Sequence, residues 1–158
     1  MKKWMYVAIG VVIVVGVALA VYFGQSGVPG VETATSMAFS VEVTNNETAV
    51  YTYMAEDIGT EHLKLRVEWW GEGFAHGVII HGELGQASYL ENDNWVELPQ
   101  KDWDRVRYMF VNEFEMHRSE LYEWREGDWT YTDPDFGYSF RIYDIEVDPA
   151  LDDALFAP

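Results

Sequence analysis

Residues able to do acid–base or metal chemistry are many in number but few in kind. The chain has 27 carboxylates, four histidines and no cysteine. His76 and His81 lie five apart on a stretch of alternating character, so on a strand they point to opposite faces and cannot chelate one ion together. His62 stands in a loop. His117 falls on the apolar face of a helical pattern and reads as a hydrogen-bonded core or boundary residue. The sequence contains no H-E-x-x-H, no EF-hand loop and no Gly-rich phosphate loop. Ser40, Ser88, Ser119 and Ser139 stand in no nucleophile-elbow context. Asp148, Asp152 and Asp153 could hold calcium or form a solvated acidic end, and the second reading is preferred. Without cysteine there are no disulfides, thiolate zinc sites, thiol nucleophiles or lipid attachment through sulfur. With 27 acids, carboxylate pairs of glycosidase type arise by chance. The expectation is a non-catalytic protein with no metal and no cofactor.

The aromatic residues carry a stronger signal. Seven Trp, ten Tyr and eight Phe exceed what a domain of this size needs in order to fold. Trp69 and Trp70 are adjacent, so a strand puts one indole on each face. Two readings follow. In one the rings are core. In the other, a sheet lined by Trp69, Phe74, Tyr89 and Trp95, facing Phe110 and Phe114 of a helix, holds an apolar or sugar ligand. A neighbouring membrane protein is a further partner for exposed rings.

The elements that must position these residues follow from hydrophobic periodicity. Met37, Phe39, Val41 and Val43 alternate with polar residues, Asn45-Asn46-Glu47 turns the chain, and Thr48–Met54 returns. Leu63, Leu65, Val67 and Trp69 alternate with Lys64, Arg66 and Glu68. Phe74–His81, Gln86–Leu90 and Trp95–Leu98 complete six strands joined by short turns. The period then changes to three or four. Trp103, Val106, Phe110, Phe114, His117, Leu121 and Trp124 define one face of a helix from about Lys101 to Arg125, with Arg118 placed elsewhere around it and Gly127 as its cap. Tyr138–Val147 reads as a long strand, with Trp129–Thr132 as a candidate for one more, and Ala150–Pro158 as a short helical turn tucking Leu151, Leu155 and Phe156 against the sheet. The fold class is α+β: a curved, half-barrel-like antiparallel meander packed on one long helix.

Before the domain stands Trp4–Phe23, 20 uncharged residues preceded by Lys2 and Lys3. A helix of that length spans roughly 30 Å, about one hydrocarbon core. The lysines predict a single-pass anchor with a cytoplasmic N-terminus and an extracytoplasmic domain; the alternative is a signal peptide cut near Ala20, with secretion of the rest. The domain plan is therefore 1–24 anchor or signal, 25–36 flexible stalk and 37–158 folded domain. All 27 acids but only eight of the ten basic residues lie beyond the anchor. Such a domain repels nucleic acid and anionic lipid headgroups, its charge favours solubility, and the acidity suits divalent cations, basic partners or life in high salt. Asn46-Glu47-Thr48 is an N-glycosylation acceptor triplet on a turn.

The C-terminal run Phe140-Arg141-Ile142-Tyr143-Asp144-Ile145-Glu146-Val147-Asp148-Pro149, continuing Ala150-Leu151-Asp152-Asp153-Ala154-Leu155-Phe156-Ala157-Pro158, resembles the closing segment of LolA-like lipoprotein-carrier proteins. There a final strand runs into Asn/Asp-Pro, two acidic or small residues and Leu-Phe-x-Pro. The resemblance implies a half-barrel closed by helix over a cavity for lipid or acyl chains. The match covers about 19 residues, and the anchor here would prevent a shuttling role. The expected function is a membrane-anchored extracytoplasmic binding protein, with a structural or accessory subunit of a cell-surface assembly as the alternative.

Overall fold

Alternation at a period of two, repeated eight times, builds one sheet. The computed structural model describes residues 30–44, 48–71, 74–92, 94–134 and 137–158, without the side chains of 71, 74 and 75. The apolar segment Trp4–Phe23, residues 25–29 of the expected stalk, and Asn46 lie outside the described residues. The strands are β1 (Ser36–Thr44), β2 (Thr48–Glu56), β3 (Lys64–Gly71), β4 (Phe74–His81), β5 (Gln86–Glu91) and β6 (Asn94–Glu97). Helix α1 (Gln100–Glu120) follows, then β7 (Trp129–Thr132) and β8 (Ser139–Val147). All neighbours pair antiparallel in the order β6-β5-β4-β3-β2-β1-β8-β7, an open sheet with β6 and β7 at its edges. Among the described residues the α+β class, the six-strand meander and the one α-helix are as expected, and of the one or two closing strands expected both form.

Helix α1 leaves one edge of the sheet and delivers the chain to the other. Its 21 residues span about 31 Å at 1.5 Å each, close to the roughly 34 Å width of eight strands. The helix therefore crosses the strands, and its apolar residues meet successive ones. Phe110 stacks on Trp69 of β3 at 5.3 Å, Phe114 on Phe39 of β1 at 5.7 Å, and His117 packs against Phe140 of β8 at 5.5 Å. Met37, Phe39, Val41, Tyr53, Leu65, Val67, Val78, Ile80 and Ile142 line the covered face, all buried.

The opposite face is covered in part by a 3-10 turn, Asp153–Phe156. Arg66 donates to the Leu155 carbonyl (2.6 Å), His81 Nε2 lies 2.7 Å from the Phe156 carbonyl, and Lys64 pairs with Glu56 and Asp153. Phe156 and Ile79 are buried there, as the sequence led one to expect for Phe156.

Five details differ from the sequence reading. The helix stops at Glu120, not near Arg125, because its end tightens: Leu121 and Tyr122 donate to Arg118 and Ser119, three residues back. Gly127, with φ +73°, serves a later turn and is not the helix cap. The expected stalk through residue 36 is folded from Val31, which is buried with Ala34. Arg118, assigned to the outer surface, is also buried and holds that segment, donating to the carbonyls of Val31 (3.2 Å) and Glu32 (2.8 Å) while pairing with Glu115. Lastly, β8 is not one regular strand. Its register against β1 shifts between Ala38 and Ser40, and Asp144 takes a left-handed φ of 52°. This bulge reconciles two apolar runs that are out of phase, Phe140/Ile142 and Ile145/Val147, so that both face the core.

Phe114 is fully buried in the stack with Phe39 and Tyr53. Phe114→Ala should cost about 3–5 kcal/mol in denaturant unfolding. Met116→Ala, on the exposed side of the same helix, should stay within about 0.5 kcal/mol. Equal effects would contradict the assigned helix face.

Candidate functional site

The two ends of the helix–sheet interface differ. Toward its C-terminal end α1 is pressed onto the sheet through Phe114, His117 and Leu121, all fully buried. Toward its N-terminal end Val106 and Phe110 are buried as well, but a groove of about 510 Å³ opens beside them between α1 and strands β3–β5, within the range of small-molecule pockets. Trp69 and Tyr89 form the sheet side. Val106, Met109, Phe110 and Arg105 form the helix side, and Leu98 closes one end. Leu98 lies past β6, where its N–H donates to the Ala87 carbonyl at 2.7 Å.

The register explains why these rings meet. Trp69 is paired with His76 and Tyr89 with Val78, so all four share the face toward the helix. Trp69 lies 5.6 Å from His76 and 6.0 Å from Tyr89, ring to ring, while Tyr89 Oη and His76 Nδ1 are 2.9 Å apart. Tyr51 stacks on Trp69 at 6.3 Å from the next strand. A hydroxyl and an imidazole thus satisfy each other beneath an otherwise apolar wall. Such a wall gains most by covering hydrocarbon or a sugar ring.

Of the six residues expected to line a ligand site, the structure brings Trp69, Tyr89 and Phe110 together in this groove. Phe114 is one turn further along α1, in the solid core. Trp95 is on the other face of the sheet, because it pairs with Leu90, next to the inward Tyr89. There it covers Gly77, where a Cβ would come within 2.8 Å of the indole, and lies under the Arg66 guanidinium at 5.2 Å. The Phe74 side chain lies outside the described residues. Sequence reasoning missed Leu98, Arg105, Val106 and Met109 as lining residues, although it placed Val106 on the apolar face of the helix. The signal lay in helix spacing, since Arg105 and Met109 are four apart and flank Val106 and Phe110. Trp70 faces away from α1 and is 43% exposed, as adjacency to Trp69 implied.

A second depression, about 710 Å³, is bounded by Gly30–Thr33, Tyr122, Trp124, Arg125 and Val147. Glu32, Thr33 and Arg125 make it less uniformly apolar than the groove. The groove is the better-defined site.

The tight end of the interface is polar within. His117 Nδ1 lies 2.8 Å from Tyr131 Oη. Among the described residues, His117 Nε2, Tyr53 Oη and Trp129 Nε1 are buried without a hydrogen-bond partner. The Glu113 carboxylate lies close to the Tyr53 hydroxyl without normal hydrogen-bond geometry. Burial first, and then Glu113, push that hydroxyl's pKa up, and burial raises Glu113 itself. Burial lowers His117 from its ordinary 6.5 to about 4. Among the described residues, no three His, Asp or Glu side chains converge as a metal site requires. Comparison with protein-family models, curated proteins and solved structures finds no match to this chain.

His117 makes the fold pH-sensitive with a defined sign. Above about pH 6.5 it is neutral in both states. Below that the unfolded chain takes up the proton first, so stability falls until the folded chain also binds it near pH 4. Glu113 acts oppositely, since its raised pKa protonates the folded state first. The His117 contribution should reach on the order of 3 kcal/mol across this window. Urea unfolding of wild type and His117→Gln at several pH values should show the acid slope reduced in the variant; identical slopes would contradict it.

Proposed function

We propose that this chain is a membrane-tethered, extracytoplasmic binding protein that holds an apolar molecule in the groove between α1 and β3–β5 without chemical change. The groove is the observation that carries this reading: about 510 Å³, with walls from Trp69, Tyr89, Leu98, Val106, Met109 and Phe110. Its one charged lining residue is Arg105, so it offers no acid–base pair. The C-terminal likeness to LolA-like carriers points the same way, since a half-barrel over a helix stores acyl chains in such a place. Among the described residues no helix is long and apolar enough to cross a membrane; the tether in this reading is Trp4–Phe23, with Lys2 and Lys3 in the cytoplasm. Tethering limits the protein to receiving or presenting its ligand near one membrane surface.

A second reading, an accessory subunit of a membrane assembly, is favoured by the outer side of α1. Tyr108 (74% exposed), Met109 (51%) and Met116 are exposed there, with Tyr122 exposed just past the helix end, a set of apolar side chains suited to a protein partner.

Native mass spectrometry of the full-length chain released from nonionic detergent should show a one-to-one adduct of an apolar molecule. Met109→Trp fills the groove mouth at an exposed position and should weaken retention at least about tenfold, near 1.4 kcal/mol, with an unchanged thermal midpoint. Bare protein from both forms would sink the binding reading and leave the subunit reading.

A further inference from the structure

We propose that the groove selects an anionic amphiphile, with a carboxylate or phosphate head held by Lys101 and Arg105 and the apolar tail lying along Met109, Phe110 and Trp69. This rests on the groove being a ligand site and adds what kind of ligand enters it.

Arg105 is the only charged residue on the groove wall, and its side chain is 80% exposed at the mouth. Its contact with Asp102, a half-buried carboxylate, is long at 3.5 Å and open to solvent on the Arg105 side, so the pair is weak and the guanidinium remains available. Lys101 lies four residues before Arg105 on the same helical row, and Met109 four residues after. Two cations at this spacing repel each other, a local cost that an anion between them removes.

The accounting of cations sharpens the point. Lys64 is held by Glu56 and Asp153, Arg66 by Glu68, Arg118 by Glu115 and two carbonyls, and Arg141 by Asp128. Lys101, Arg107 and Arg125 are exposed and make no ion pair among the described residues; Arg125 lies past the far end of α1, where it donates to the Trp124 carbonyl, so Lys101 is the free cation on the row of Arg105. Asp102 and Asp104 stand on the same turns and moderate the field without entering the groove. Elsewhere the surface repels anions, since 27 acids face eight basic residues beyond the N-terminal segment. An anionic head is therefore drawn to this mouth, and the apolar wall behind it takes the tail. Both carboxylate and phosphate accept the forked donors of Arg.

The test is photo-crosslinking of the full-length chain in phosphatidylcholine nanodiscs, with diazirine-bearing decanoate, decyl phosphate, decanol and decyltrimethylammonium. Labelled peptides are read by mass spectrometry. The two anionic probes should label the Trp69 and Met109 peptides at least about fivefold more than decanol, with the preference shrinking in high salt. The Lys101→Gln/Arg105→Gln double variant should bring all probes to parity. Arg107→Gln, which changes net charge but lies off the row, should keep the preference. Equal labelling by decanol, or preference for the cationic probe, overturns anion selection and leaves the groove as an apolar site. No labelling of the groove by any probe overturns both. A preference that survives the double variant overturns the assignment to Lys101 and Arg105.

Discussion

The stack of Phe114 on Phe39 and Tyr53 is the contact on which the rest depends. Eight strands present a wide apolar face, and a single helix must cover it. Ring centroids 5.7 Å and 6.3 Å from Phe114 fasten the helix to the first hairpin, and burial of three large rings supplies several kcal/mol of apolar transfer energy. Fastened there, the helix lies across the strands, and its length nearly equals the width of the sheet. The order of its apolar residues then reads out the order of the strands beneath it.

One straight helix on a sheet cannot be flush everywhere, because sheets twist. Here the C-terminal half is flush. His117 and Leu121 are buried, and Arg118 ties down the segment at Val31. Over the N-terminal half Val106 and Phe110 reach the sheet too, but packing beside them is incomplete, and the space left is the groove over Trp69 and Tyr89. Stability and binding capacity are thus divided along a single element. The tight end also carries the electrostatic cost, an unprotonated buried imidazole beside unpartnered hydroxyl and indole groups. The loose end, where Arg105 reaches solvent, carries the accessible charge.

Much of this was legible residue by residue. Alternation placed Phe39, Val41, Leu65, Val67 and Trp69 on the covered face, and helical spacing placed Val106, Phe110, Phe114 and His117 against them. Adjacency alone separated Trp69 from Trp70, and five-residue spacing separated His76 from His81. What escaped depends on registers between segments. Trp95 belongs to a four-residue strand, too short for its alternation to say which side is inward; its pairing with Leu90 decides that. Arg118 looks like a surface residue on any wheel, because its partners are carbonyls 86 and 87 residues away. The bulge at Asp144 is visible only when β8 must match β1.

The sequence by itself determined the elements and their facing sides, since periodicity of two or 3.6 is a local property of backbone geometry. It also determined the acidity, the absence of thiol chemistry and the aromatic supply. Only the tertiary structure decided which aromatics share a space. Trp69, Tyr89 and Phe110 converge because β3, β5 and α1 are brought together by pairing and by a crossing angle, neither of which is encoded within any one segment. Phe114 and Trp95, of the same residue class, went to the core and to the far face for the same reason. A cavity is where packing is incomplete, and that is a property of the assembled layers.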